Sequence, residues 1–157
     1  MKTLRAPLLC VCAMLFSLCS FAQNEKDPIN EPDYKKPKLF SNLPDRIPVS
    51  IEKINSLLNA PVGNSTSLKV AEGSALQFDG EVISKATKYE NRIQSVVIRS
   101  TNFNGARLTI SRTTKEDGSI AYTGRIISFQ HGDLYELQSL NGQLTLVKKN
   151  FYDLVNE

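Results

Sequence analysis

The chain has 157 residues, with 19 Lys and Arg against 16 Asp and Glu, a single histidine and a net charge of +3. That length suits one small domain, and so near a charge balance argues against nucleic acid or an anionic membrane as the main partner. The three cysteines, Cys10, Cys12 and Cys19, all lie near the N-terminus.

Lys2 and Arg5 precede an almost wholly apolar run over residues 8–18, followed by Ser20, Phe21 and Ala22. A short positive region, an apolar stretch too short to span a bilayer and small residues at a peptidase site together predict a signal peptide over 1–22. Cleavage before Gln23 sends the chain to the periplasm or the medium. It also removes every cysteine, and with them any disulfide, thiol nucleophile or thiolate metal ligand. Loss of Lys2 and Arg5 leaves 17 basic against 16 acidic residues. No later segment is apolar enough to cross a membrane as a helix.

Residues 23–42 are polar and interrupted by Pro28, Pro32 and Pro37. Such a stretch buries too little apolar surface to offset its ordering entropy and reads as a flexible tether, with Tyr34, Leu39 and Phe40 as anchors if it docks. One β-rich domain is expected over 43–157. Between Pro48 and Pro61, Ile51, Ile54, Leu57 and Leu58 form an apolar stripe at helical spacing. Ser50 suits the N-cap, Glu52 suits the positive end, and Pro61 stops the helix.

Seven strands are expected after Gly63, at 67–71, 75–87, 92–101, 107–114, 120–130, 134–140 and 143–149, separated by turn-forming Asn104-Gly105, Asp117-Gly118, His131-Gly132-Asp133 and Asn141-Gly142. Connections this short predict an antiparallel meander of six or seven strands, mostly β, curling into a coiled sheet or partly open barrel with the helix packed on it.

Side-chain parity then selects registers. A three-residue loop at 103–105, with Gly105 left-handed, pairs Ile98 with Ile110; a similar loop at 116–118 pairs Leu108 with Ile126 and Arg112 with Tyr122. Leu76, Phe78, Val82, Val96, Ile98, Leu108, Ile110, Ile120, Tyr122 and Ile126 then share a core face. Past Ile126 the apolar side changes. That change predicts a bend, with Ile127 and Phe129 facing Leu137 and Tyr135, and Leu137 facing Leu146 across Asn141-Gly142. Phe151, Tyr152, Leu154 and Val155 would close one end.

Catalytic patterns are missing. His131 lies in a turn, and Ser128 and Ser139 lack the context of an activated nucleophile. The carboxylates Asp79, Glu81, Glu90, Glu116, Asp117 and Asp133 follow no ligand spacing, so neither metal nor cofactor is expected. The same registers align Asp79, Arg99, Thr109 and Arg125 across four strands on the polar face. Two guanidinium forks flanking a hydroxyl suit a carboxylate, phosphate or sulfate, with Asp79 orienting Arg99. The expected function is a non-catalytic binding or adaptor module for an extracytoplasmic protein, a polymer or a small anion. The alternative is an inhibitor or pro-domain-like regulator of an exported hydrolase, blocking through the 85–92 connection or the Phe103 tip.

Overall fold

The computed structural model describes residues 35–70 and 76–154. The expected signal peptide, the cleavage site, Tyr34 and Val155 lie outside the described residues. The first element, strand β1 (Arg46–Pro48), precedes helix α1 (Ile51–Asn59) and strands β2 (Ser65–Lys69), β3 (Gln77–Lys88), β4 (Ile93–Ser100), β5 (Arg107–Thr114), β6 (Ile120–Ile127), β7 (Asp133–Leu140) and β8 (Gln143–Asn150). A 3₁₀ turn at Phe151–Leu154 follows. All eight strands form one antiparallel sheet in the order β1-β8-β7-β6-β5-β4-β3-β2, curled into a half-barrel. The expected meander is therefore present from β2 to β8, with one further strand. Three residues ending in a proline give no usable alternation, so β1 escapes a sequence pattern.

Because β1 and β2 occupy opposite edges, the segment between them must cross the sheet, and α1 makes that crossing on the concave side. Ile54, Leu57 and Leu58 are buried, whereas Ile51 is 45% exposed. Ser50 is the N-cap, its hydroxyl accepting from Lys53 N–H at 3.4 Å. The concave core joins these residues to Phe78, Val82, Val96, Ile98, Leu108, Ile110, Ile126, Tyr135, Leu137 and Leu146. Fully burying one such side chain stabilises by about 1.5–3 kcal/mol. Curling crowds the concave side, and two glycines relieve it. A Cβ on Gly80 would lie 2.4 Å from the Arg99 carbonyl oxygen, and one on Gly124 would lie 2.7 Å from that of Thr109.

Order starts earlier than Leu43. Phe40 is fully buried, packing on Phe103 and Tyr135 with ring centroids 5.4 and 5.1 Å apart. The buried carboxylate of Asp133 accepts from Leu39 N–H at 2.6 Å and from Phe40 N–H at 2.9 Å. Tyr135 donates its hydroxyl to the Pro44 carbonyl. Burial first, and then the charges of Asp45 and Asp133, push that phenol well above its ordinary value. Leu39 and Phe40 are thus anchors, and their own domain is what they dock onto.

The β5–β6 register is the expected one, Leu108 opposite Ile126 and Arg112 opposite Tyr122. Leu137 lies opposite Leu146, with Asn141 and Gly142 both at positive φ. The β4–β5 register keeps the expected faces but slips by two residues: Ile98 lies opposite Leu108, and Ile110 opposite Val96. The loop spans five residues, closed by Ser100 N–H donating to the Ala106 carbonyl. Phe103 is the cause, since it folds inward to stack on Phe78 and so needs a longer connection. Gly105 has the expected positive φ, +69°.

The bend expected in β6 is also corrected. Ile126 lies opposite Tyr135 and Ile127 opposite Leu134, and the change of face comes from the intervening loop's length. Phe129 is 67% exposed. The irregularity occurs in β3, where the pairing shifts between Val82 and Ser84. One further feature shapes the convex face. The β6–β7 ladder extends only to Gly124 opposite Leu137, so residues 120–123 and 138–140 separate into a split within the sheet.

Candidate functional site

Directly opposed residues share a face of the sheet, so the ladder pairs determine which side chains meet on the convex surface. Arg99 on β4 lies opposite Glu81 on β3 and opposite Arg107 on β5. Thr109 lies opposite Arg125, which lies opposite Glu136. The four expected residues are thus divided. Thr109 and Arg125 meet as expected, and Arg99 stands one strand away and one step along, beside Arg107.

Asp79 does not reach Arg99. It accepts from Gln77 Nε2 at 2.8 Å, and its backbone N–H donates to Asn102 Oδ1 at 3.1 Å, tying it to the loop after β4. Glu81 takes the place expected for Asp79, with its carboxylate 3.5 Å from an Arg99 nitrogen. These side chains are 60% and 45% exposed, a setting in which an ion pair contributes about 0.2–1 kcal/mol. Arg107 has no ion pair among the described residues. It was missed because the two-residue slip replaces Thr109 by Arg107 opposite Arg99. An alternation pattern alone is blind to such a slip, which preserves every face.

Where the sheet splits, a groove of about 480 Å³ opens, lined by Thr109, Ser111, Thr123, Arg125, Ile127 and Glu136 among others. Arg125 lies 3.2 Å from Glu136, as does Lys149 from the other side, and Gln138 donates to the same carboxylate at 2.8 Å. Burial raises the Glu136 carboxyl. The hydrogen bonds from Gln138, Lys149 and Arg125, with the Lys149 charge, outweigh it and hold the group below the usual carboxylate range. Glu136 is therefore a charged anchor that orients Arg125 at the groove wall.

The other candidate chemistry resolves into structure. His131 Nδ1 lies 2.8 Å from Ser128 Oγ, but Ser128 is fully buried and Asp133 is committed to the Leu39 and Phe40 N–H groups. A hydroxyl that no substrate reaches is no nucleophile, and the pair fastens a turn. Among the described residues no cluster of three or more His, Cys, Asp or Glu side chains is placed to hold a metal ion. Phe103, packed inward, is not a protruding tip. Comparison of the chain with protein-family models, curated proteins and solved structures finds no match.

Proposed function

We propose that this chain is an exported, non-catalytic binding module whose convex face takes up an anionic group of a partner or polymer through Arg99, Arg107 and Arg125. The observation that carries the reading is the direct opposition of Arg99 and Arg107 on neighbouring strands. Like charges so placed cost stability unless something neutralises them, and one loose contact to Glu81 does so only in part. An oxyanion between them would accept from both guanidinium forks. Thr109 would supply a hydroxyl from the adjoining groove. Export remains part of the proposal and rests on the leader pattern over residues 1–22.

The test is titration with polygalacturonate at low salt, with neutral dextran as the control. Wild type should bind the acidic polymer and release it as salt rises. Because a hydrogen bond to a charged group contributes about 1.5–3 kcal/mol, the double replacement Arg99→Gln with Arg107→Gln should weaken binding at least about tenfold. The same variant should melt no lower than wild type, since it removes a repulsion. No binding to the acidic polymer, or equal binding by the double variant, refutes the reading. Mass-spectrometric detection of a mature N-terminus at Gln23 tests export separately.

A further inference from the structure

The concave face carries a second polar row, remote in character from the core beside it. Thr87 lies opposite Gln94, Gln94 opposite Arg112, and Arg112 opposite Tyr122, one continuous line across β3, β4, β5 and β6. Helix α1 closes over its end, where the Tyr122 hydroxyl donates to Asn55 Oδ1 at 3.0 Å.

Arg112 is the anomaly in this row. Its side chain is half-buried, and its Nε is buried without a hydrogen-bond partner. No ion pair reaches it among the described residues. The nearest acids along the chain, Glu116 and Asp117, belong to the β5–β6 turn, where Asp117 accepts from Ser119 N–H. Guanidinium cannot shed its proton, so its desolvation is not relieved by neutralisation. A buried N–H left without an acceptor is a rare and costly feature that asks for an explanation.

We infer that Arg112 binds the carboxylate of a small amphipathic acid beside the Tyr122–Asn55 contact that joins the sheet to α1. The neighbouring groups favour an acceptor-only ligand, because the Tyr122 hydroxyl engages the Asn55 oxygen and leaves the Asn55 Nδ2 donors for another acceptor. The apolar part of the ligand has surfaces to lie on. Ile120 is 47% exposed and stands two residues from Tyr122 on the same strand face; Ile51 is 45% exposed and stands one helical turn from Asn55. Each is about 5–7 Å from the residue that joins helix to sheet. A carboxylate headed by a short alkyl chain meets both requirements. The inference is independent of the convex-face arginines.

The test uses octanoate as the probe, read by the side-chain Nε–H resonance of Arg112 in the full chain and by calorimetry. Octanoate should shift that resonance, 1-octanol should not, and Arg112→Gln should weaken binding at least about tenfold. The Arg99→Gln, Arg107→Gln variant should bind octanoate as wild type does, which separates this site from the convex face. Arg112→Lys retains the charge but lacks the planar fork. It serves as the second variant and should also bind more weakly. A resonance unmoved by millimolar octanoate, a shift produced by inorganic phosphate but not octanoate, or equal binding by Arg112→Gln overturns the assignment.

Discussion

Replacing Asp133 by alanine should detach the N-terminal segment from the domain. In the native fold this buried carboxylate accepts two hydrogen bonds, from Leu39 N–H and Phe40 N–H, and those bonds hold Phe40 in the core. A hydrogen bond to a charged acceptor contributes about 1.5–3 kcal/mol, and losing a buried phenylalanine costs about 3–5 kcal/mol. The two losses describe one event and do not add, so Asp133→Ala should cost about 3–5 kcal/mol. That is a large share of a typical domain stability of about 5–15 kcal/mol. Asp133→Asn keeps one acceptor oxygen and should cost less. Urea denaturation gives each value. A double-mutant cycle with Phe40→Ala should show coupling of at least about 1 kcal/mol. A loss under about 0.5 kcal/mol for Asp133→Ala, or strict additivity with Phe40→Ala, would show that the segment's docking does not depend on this carboxylate.

Gly80→Ala should cost about 1–3 kcal/mol and lower the melting temperature, because its Cβ would meet backbone oxygen at 2.4 Å where little can yield; an unchanged melting temperature refutes the role of Gly80 in the curl. Tyr89, Glu90 and Asn91 all have positive φ. Glu90→Gly should therefore stabilise by about 1 kcal/mol, read by the same denaturation, and a loss of stability would contradict the strain. Glu136 has a lowered folded pKa, so its contribution is complete above the ordinary glutamate value of about 4.3 and is lost as pH falls through the lower folded value. Glu136→Gln should flatten the acid limb of the stability profile below that pH, and an unaltered limb would show that the carboxylate is not held as described.

Much of this architecture could be read from alternation and turn chemistry, because both are local. The β5–β6 and β7–β8 hairpins follow from Asp117-Gly118 and Asn141-Gly142, whose glycines set the loop length and therefore the register. The failures share a cause in contacts between residues distant in sequence. Phe103 lengthened the β4–β5 loop by packing on Phe78 and Phe40, and the shift exchanged Thr109 for Arg107 beside Arg99. Asp133 drew Leu39 and Phe40 out of a segment whose composition reads as tether. The pairing of Arg112 with Tyr122 is legible in the strand pattern, but the burial of the Arg112 Nε without an acceptor and the reach of the Tyr122 hydroxyl to Asn55 on α1 are tertiary features that no strand pattern places.

The arrangement of charges on the convex face bears on the kind of anion the proposed site would favour. Glu81 flanks Arg99 on one side and Glu136 flanks Arg125 on the other, while Arg107 between them has no carboxylate among the described residues. The outer arginines are thus oriented by acids that leave part of each guanidinium open, and the central one has its whole donor set to offer. Three adjacent strands about 4.8 Å apart spread these groups over roughly 10 Å, well beyond the reach of one carboxylate. A single small anion would satisfy the Arg99–Arg107 pair and leave Arg125 with Glu136. A polymer carrying regularly spaced charges would engage the pair and then extend over Thr109 into the groove at the sheet split, so its affinity should exceed that of its monomer by more than the number of repeats alone accounts for.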